Sequence, residues 1–295
     1  MHYAPVRYAE NGTLELRDLK FHIHRWPGTD SQLIVLLHGW GDTGETFQFL
    51  VDHFTHRYNL LAIDQRGFGR SEWPQDGYYF PDYLGDIDAL LKHVSPDSSV
   101  VLIGHSMGGN IANMYAGIRP ERVHAVVNLE GFGLSQSEPQ QAPERYRQWL
   151  DELQARDKFP TYATYDALTD SLQRRHKHLP RDRADFIARA WGVENNEGRI
   201  ALRADPRHRR VNPMLYRRDE SRICWGAMTA PLLFIAAEES EHYARVREQL
   251  VPFALQRDFR NAELKLVSQA GHMLHLEQPE AVAGLITEFL NNNNR

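Results

Sequence analysis

Four short apolar runs, separated by segments of helical spacing, constrain the fold of this chain most strongly. They occupy residues 33–37, 59–63, 99–103 and 123–129, and each is followed by a polar or glycine-bearing turn. Runs of this length are typical of parallel strands buried inside a sheet. Residues 45–55, 81–94 and 107–118 lie between them and have helical spacing. This alternation predicts right-handed crossovers and an open, doubly wound α/β sheet with helices on both faces.

Further strand and helix patterns complete the expected sheet. Residues 13–17 and 20–26 alternate in polarity, which is typical of an opening antiparallel pair at the sheet edge. After a long interruption the pattern resumes with strands at 232–236 and 263–267 and helices at 243–255 and 279–290. We therefore expect a mostly parallel eight-stranded sheet, with the core domain formed by residues 1–133 and 223–295.

The interruption, residues 134–222, has the pattern of helices joined by polar connections. Within 143–156, the side chains of Tyr146, Trp149, Leu150 and Leu153 fall on one helical face. This pattern predicts a helical lid inserted after the sixth strand. The segment carries 18 Lys or Arg against 14 Asp or Glu, whereas the remainder carries 16 against 25. The excess of positive charge fits either a solvated surface or an arginine-lined approach for an anionic substrate.

Composition excludes several classes of protein. The chain has 295 residues, 42% of them apolar, and a formal charge of -5, which argues against a nucleic-acid partner. Cys224 is the only cysteine, so an intrachain disulfide is impossible. The opening stretch MHYAPVRYAENG lacks the apolar region of a signal peptide, and no run reaches the roughly 18 apolar residues of a membrane span. We expect a cytoplasmic protein.

The stretch LIGHSMGGN, residues 102–110, carries the strongest chemical signal. It contains the pattern G-x-S-x-G, with Ser106 between Gly104 and Gly108, directly after a predicted strand and before a predicted helix. This context is that of a nucleophile elbow, in which a strained turn exposes the serine hydroxyl at the carboxyl edge of the sheet. Ser106 is therefore the predicted nucleophile.

A serine nucleophile needs a base, and QAGHMLHLEQPE, residues 269–280, supplies one. His272 follows the last predicted strand, where the base is expected in chain order. His275 lies beside Leu274 and Leu276, as expected of a histidine that packs in a helix. Histidine pairs close in sequence, such as 22 with 24 and 176 with 178, lack a carboxylate or cysteine framework, so we expect no metal site.

The loop LLHGWGDTGETF, residues 36–47, predicts an oxyanion hole. The backbone N–H of Trp40 would face that of Met107 across the nucleophile, and one such donor is typically worth roughly 3 to 4 kcal/mol in the transition state. The stretch DQRGFGRS, residues 64–71, predicts a structural loop beneath the site, in which backbone donors hold Asp64.

These motifs together resemble the α/β-hydrolase superfamily. The resemblance rests on HGWG at 38, DQRGFGRS at 64, GHSMGG at 104 and AGHMLHLEQPE at 270. Within the superfamily, VNLEGFG and LRADPRHRRVNPMLYR are most similar to the serine hydrolase-like proteins. The resemblance implies an α/β-hydrolase fold and a serine nucleophile, and it does not settle the substrate.

The acid of the triad departs from the usual family pattern. Most serine members carry it after the seventh strand as G-x-x-D, but here Ala237 and Ser240 occupy those two positions. Glu238, Glu239 and Glu241 lie close by and remain alternatives, because a shift of one residue could bring Glu239 into the acid position.

Glu130 offers a different solution. It ends the sixth predicted strand 24 residues after Ser106, so one crossover brings it to the same sheet edge. Some superfamily members, certain haloalkane dehalogenases among them, carry their acid at this place. We predict that Glu130 accepts the Nδ1–H of His272 and stabilises the imidazolium. A capping carboxylate paired with a lid arginine, a role for Asp64, and no acid at all remain as other interpretations.

The leading functional hypothesis is a serine hydrolase that cleaves carboxylic esters or thioesters of small molecules through an acyl-enzyme, without a cofactor. Two alternatives stay open: a hydrolase of carbon-carbon bonds in vinylogous diketones, with Arg174, Arg175 or Arg189 binding substrate carboxylates, and a ligand-binding homologue with little turnover. The oligomeric state stays open as well. Four lid aromatics could line an acyl pocket or belong to the lid's own core: Trp149, Tyr162, Tyr165 and Trp191.

Overall fold

The computed structural model describes residues 2–155, 158–250 and 252–293. The strands are β1 Glu10–Leu16, β2 Leu19–Trp26, β3 Leu33–Leu37, β4 Asn59–Ile63, β5 Val100–His105, β6 Val123–Leu129, β7 Gly192–Glu194, β8 Ile200–Leu202, β9 Leu232–Ala237 and β10 Ala262–Val267. The α-helices are α1 Gln48–Val51, α2 Phe80–Val94, α3 Met107–Ile118, α4 Ala142–Leu153, α5 Tyr165–Arg175, α6 Arg181–Trp191, α7 Arg218–Ala227, α8 Glu241–Val246, α9 Pro252–Asp258, α10 Leu274–Glu277 and α11 Pro279–Asn293.

Within the described residues, eight strands form one sheet in the order β1-β2-β4-β3-β5-β6-β9-β10. β1 pairs antiparallel with β2, and β2 pairs antiparallel with β4. In this sheet, every pair of neighbouring strands from β4 onwards, along β4-β3-β5-β6-β9-β10, is parallel. The predicted doubly wound, mostly parallel eight-stranded fold is confirmed. The carboxyl ends of β5, β6, β9 and β10 therefore meet at one edge.

Alternate side chains of the strands build a hydrophobic core on each face of the sheet. On one face, Leu102 and Val126 pack with α2 and α3 residues such as Leu90 and Ile111. On the other face lie Ile103, Val127 and Ile235, together with residues of α1 and α11. β5 and β6 are covered on both faces of the sheet. This explains why their sequences are continuous apolar runs. Both strands are fully buried against solvent except at His124.

Two predicted helices are shorter or interrupted. The helix expected over 45–55 is a 3₁₀ turn, Gly44–Phe47, followed by one turn of α1. The helix expected over 243–255 is divided into α8, a 3₁₀ turn at Arg247–Gln249, and α9. Apolar spacing alone does not determine where a helix ends, because tertiary packing decides the last turns. No helix in the described part of the chain is both long and apolar enough to traverse a lipid bilayer.

Residues 134–222, the insert, leave the core after β6 and contain α4, α5 and α6. They also contain a small antiparallel hairpin, β7 with β8, which the sequence analysis did not predict. The hydrophobic cluster of α5 and α6 includes Leu168, Leu172 and Ile187 from the insert, joined by Met273 and Leu276 of the core. The insert thus packs directly against the segment that follows His272.

The apolar face predicted for the first helix of the insert is not buried. Along α4, Tyr146 is 47% exposed and Leu150 is 56% exposed, and Leu153 is also exposed. The helix ends at Leu153, and residue 156, the last of its predicted range, lies outside the described residues. An amphipathic pattern predicts which residues share one face of a helix, but it does not predict whether another element packs against that face.

The loop after β4 is organised by Asp64, which is 1% exposed. Its Oδ1 accepts hydrogen bonds from the Gly44 N–H at 2.7 Å and His24 Nε2 at 3.2 Å, and its Oδ2 accepts from the Arg70 N–H at 2.9 Å. Gly69 has φ +58°, and a Cβ there would come within 2.2 Å of Oδ2. Burial by itself would raise the pKa of Asp64, but the His24 hydrogen bond and the backbone donors bring this pKa to about 2.

Replacement of this carboxylate changes how stability depends on pH. The folded pKa lies below the ordinary value of 3.8, so the ionised carboxylate stabilises the fold above about pH 4, and the contribution is lost as the pH falls from 4 through 2. We expect Asp64→Asn to lower the free energy of unfolding by roughly 2 kcal/mol at pH 7, measured by urea denaturation.

The difference between this variant and the wild type should shrink as the pH falls from 4 towards 2. Asp97→Asn, at an exposed position, is the matched control and should change stability by less than about 0.5 kcal/mol. A loss from Asp64→Asn that stays constant between pH 7 and pH 2 contradicts the assignment.

Candidate active site

Ser106 occupies the turn between β5 and α3 with φ 50° and ψ -112°, a strained conformation for a residue other than glycine. Two glycines make this turn possible. A Cβ at Gly104 would lie 2.3 Å from the carbonyl oxygen of Gly108, and a Cβ at Gly108 would lie 2.0 Å from that of Leu37. The glycine spacing in the motif therefore reflects direct backbone contact between β5, α3 and β3. The serine is presented at the carboxyl edge of the sheet.

His272 lies in the loop after β10 and contacts both other residues of the predicted triad. Its Nε2 is 3.0 Å from Ser106 Oγ. Its Nδ1 is 3.1 Å from Glu130 Oε2. A proton on Nδ1 donated to the carboxylate leaves the Nε2 lone pair facing the serine hydroxyl, as a general base requires.

Glu130 directly follows β6, with φ 61° and only 2% exposure. Its Oε1 accepts the Ala237 N–H at 2.8 Å, and its Oε2 accepts the Ser240 hydroxyl as well as His272. Buried carboxylates are tolerated when donors surround them in this way. These contacts are with His272, with the last residue of β9 and with Ser240. Among the described residues no arginine of the insert contacts Glu130, so the alternative of a capping carboxylate paired with such an arginine is not supported.

The carboxylates after β9 point elsewhere. Glu239 Oε2 is 2.9 Å from Nε2 of His178 in the insert, and its side chain is 52% exposed. Glu238 and Glu241 are exposed. Ser240, at the position where the resemblance to the superfamily implies an acid, instead donates its hydroxyl hydrogen to Glu130. The usual acid position thus serves to bind the carboxylate that comes from β6.

The two backbone donors proposed for the oxyanion, the N–H groups of Met107 and Trp40, belong to segments next to Ser106. Met107 is the first residue of α3, and the first N–H groups of a helix have no intrahelical partner. The loop that carries Trp40 approaches Ser106 closely, since a Cβ on Gly39 would lie 3.3 Å from Ser106 Cβ. The Trp40 ring is half exposed, with Phe68 at 6.3 Å and Phe159 of the insert at 6.0 Å.

Two further histidines surround His272 that the sequence analysis did not single out for this role. His105 Nε2 is 2.9 Å from the His272 carbonyl oxygen, and the ring of His242 lies 4.2 Å from the His272 ring. Burial and the nearby His272 lower the pKa of His242. His105 could have been identified from the sequence, because it lies inside the G-x-S-x-G motif. No motif contains His242, and its position depends on how the turn after β9 is folded.

The predicted pocket aromatics belong mainly to the core of the insert. Tyr162, Tyr165 and Trp191 pack against its hydrophobic cluster. Trp191 also donates its Nε1–H to Asp42 Oδ1 at 2.7 Å. Trp149 lies on α4, partly exposed. This packing supports the interpretation as insert core for Tyr162, Tyr165 and Trp191, and a role of Trp149 in a pocket stays a prediction.

Similar proteins agree with this architecture. A family model described as the alpha/beta hydrolase fold matches residues 32–279. A serine hydrolase-like protein from Danio rerio is 26% identical over 273 residues, which cover 90% of this chain and 83% of that protein. A putative 2-succinyl-6-hydroxy-2,4-cyclohexadiene-1-carboxylate synthase from Bacillus subtilis (strain 168) is 27% identical over 268 residues, with coverage of 88% and 90%.

Solved structures share the fold. The thioesterase domain from the curacin biosynthetic pathway superimposes with a TM-score of 0.82 at 21% identity, over 95% of this chain and 99% of that domain. This likeness concerns the fold alone, whereas the family match spans most of the chain. The match supports hydrolase activity of the α/β-hydrolase type, and the chain belongs to the α/β-hydrolase family.

Proposed function

We propose that this chain is a serine hydrolase that cleaves carboxylic ester or thioester bonds of small molecules through an acyl-enzyme on Ser106. The proposal is carried by one observation, the uninterrupted series of contacts from Ser106 Oγ through the His272 ring to the Glu130 carboxylate. Hydroxyl, imidazole and carboxylate in this order can activate a nucleophile near neutral pH.

In the first half of the reaction, Ser106 Oγ attacks the substrate carbonyl carbon while His272 Nε2 takes the hydroxyl proton. The N–H groups of Trp40 and Met107 donate to the resulting oxyanion. His272 then gives its proton to the departing alcohol or thiol as the tetrahedral intermediate collapses to an ester of Ser106. Glu130 keeps the imidazole oriented and stabilises its positive charge.

In the second half, water replaces the departed group. His272 Nε2 removes a proton from the water as its oxygen attacks the acyl carbon, and the same two N–H groups again bind the oxyanion. The proton passes to Ser106 Oγ when the carboxylic acid product leaves. Residues 134–222 act in this scheme as a lid, because they pack against Met273 and Leu276 beside the base.

The two alternative functions receive less support. Arg189, offered as a ligand for substrate carboxylates, contacts Asp185 at 3.1 Å, and Arg175 donates to the Ser171 carbonyl oxygen. A ligand-binding homologue with little turnover is favoured only by Ser240, which stands at the usual position of the acid after the seventh strand of the sheet. The position of Glu130 offers a replacement for that acid.

Removal of the acid should separate the two candidate carboxylates. We expect Glu130→Gln to lower kcat for a p-nitrophenyl ester by about 10³- to 10⁴-fold, because the neutral amide cannot stabilise the imidazolium. Glu239→Gln is the matched control and should stay within about twofold of wild type, since Glu239 contacts His178 and is half exposed. Circular dichroism verifies that both variants fold. Near-full activity of Glu130→Gln, or inactivity of the control, would overturn the assignment.

Covalent labelling tests the nucleophile directly. A fluorophosphonate probe should phosphonylate Ser106 Oγ with loss of fluoride, and peptide mass spectrometry should locate the adduct there. Ser106→Ala should abolish labelling, whereas Ser71→Ala, a buried serine in the loop after β4, should leave labelling unchanged. Folded wild-type protein that does not react would instead favour a binding role.

A substrate panel tests the class of bond. We expect turnover of p-nitrophenyl esters of increasing chain length and of acyl thioesters, all abolished by Ser106→Ala. Rapid cleavage of a dienoate diketone with negligible ester and thioester turnover would reverse the ranking and favour carbon-carbon bond hydrolysis.

A further inference from the structure

Behind the predicted triad, three buried polar side chains converge from distant parts of the chain. Asp42 lies in the loop after β3, His105 ends β5, and His275 lies in α10. Asp42 and His105 are 1% exposed and His275 is fully buried. Each residue offers one potential ligand atom, and the three atoms lie within 4.8 Å of one another. Such a cluster is costly to bury unless something satisfies it.

Several atoms of this cluster lack a hydrogen-bond partner among the described residues. They are Asp42 Oδ2, His105 Nδ1 and both ring nitrogens of His275. Asp42 Oδ2 lies 3.6 Å from His275 Nε2, which is longer than a hydrogen bond. A Cβ on Gly39 would come within 2.7 Å of His105 Nδ1, so the glycine keeps a side chain away from that nitrogen.

Other groups orient these side chains as the surroundings of metal ligands commonly do. Asp42 Oδ1 accepts the Thr43 N–H at 2.8 Å, the Thr46 hydroxyl at 2.8 Å and Trp191 Nε1–H at 2.7 Å, which leaves Oδ2 free. His105 Nε2 donates to the His272 carbonyl oxygen at 2.9 Å, so Nδ1 carries the lone pair.

We propose that Asp42, His105 and His275 form a binding site for a divalent transition-metal ion of the zinc type. Two imidazoles and one carboxylate are a donor set that zinc and related ions accept. Ligands about 2.0 to 2.2 Å from one ion in tetrahedral geometry are about 3.4 Å apart. The Asp42 and His275 atoms at 3.6 Å already match this separation, and the His105 atom lies within 4.8 Å of both.

The site would join three parts of the proposed catalytic apparatus. Asp42 follows Trp40 by two residues, His105 precedes Ser106, and His275 follows His272 by three. The described residues contain one other group of three potential ligands, His22, His24 and Asp64. The side chains of this second group already have hydrogen-bond partners in the protein, because His24 binds Asp64 at 3.2 Å and His22 binds Asn11 at 3.1 Å. It therefore provides a matched control for the buried cluster.

The test is a titration of the full chain, stripped with a chelator, with Co²⁺ alone. We expect one equivalent to bind with the visible absorption of tetrahedral Co²⁺ and Zn²⁺ to displace it. Thermal denaturation should show a rise in Tm with Zn²⁺. Folded wild-type protein that binds no Co²⁺ at millimolar concentration would show that a proton or water satisfies the cluster, and the proposal would fail.

Variants assign the ligands. His275→Gln should weaken Co²⁺ binding at least 100-fold and Asp42→Asn should weaken it at least tenfold, whereas His22→Gln should leave it unchanged. Equal binding by wild type and His275→Gln would place the ion elsewhere and overturn the proposal. Should His275→Gln fail to fold, anomalous diffraction from wild-type crystals soaked in Zn²⁺ decides the matter, because a peak within 2.5 Å of these three side chains supports the site and a peak only elsewhere excludes it.

Discussion

The candidate site depends on the hydrogen bonds that surround the buried carboxylate of Glu130. Removing a carboxylate from water costs several kcal/mol unless donors replace its hydration. Those donors come from the last residue of β9, from Ser240 at the start of α8, and from His272 after β10. Three segments must therefore be in place before the charge is compensated, and the same three segments set the position of the imidazole.

The parallel sheet is what gathers these residues. β5, β6, β9 and β10 are consecutive neighbours, and parallel strands present their carboxyl ends at the same edge. Ser106 follows β5, Glu130 follows β6, Ser240 follows β9 and His272 follows β10. The Glu130 carboxylate, just after β6, is one strand from Ser106, the predicted nucleophile. It contacts the same imidazole that an acid after β9 would contact. The fold is therefore compatible with an acid after β6 in place of the usual acid after β9.

Much of this arrangement was predictable from sequence because it depends on local signals. The runs that form β5 and β6 are apolar on both faces. Gly104 is required by a backbone contact with Gly108, only four residues away. The contact of Glu130 with His272 followed from strand order. The exposed face of α4 and the hairpin of β7 with β8 were not predictable, because burial of a helix face and pairing of three-residue strands depend on partners elsewhere in the fold. The cluster of Asp42, His105 and His275 escaped for the same reason, since no spacing in the chain joins those positions.

The manner in which the histidine is anchored has a mechanical consequence. Ser106 and Glu130 directly follow central strands of the sheet, whereas His272 belongs to a loop whose next residues, Met273 and Leu276, pack in the hydrophobic cluster of the insert. Arg183 of α6 also donates to the carbonyl oxygens of Leu276 and Glu277. The His272 imidazole is thus tied to Ser106 and Glu130 at the sheet edge and, through its loop, to the insert. We expect a shift of α6 to change the position of His272 relative to Ser106 and Glu130, the other two residues of the predicted triad.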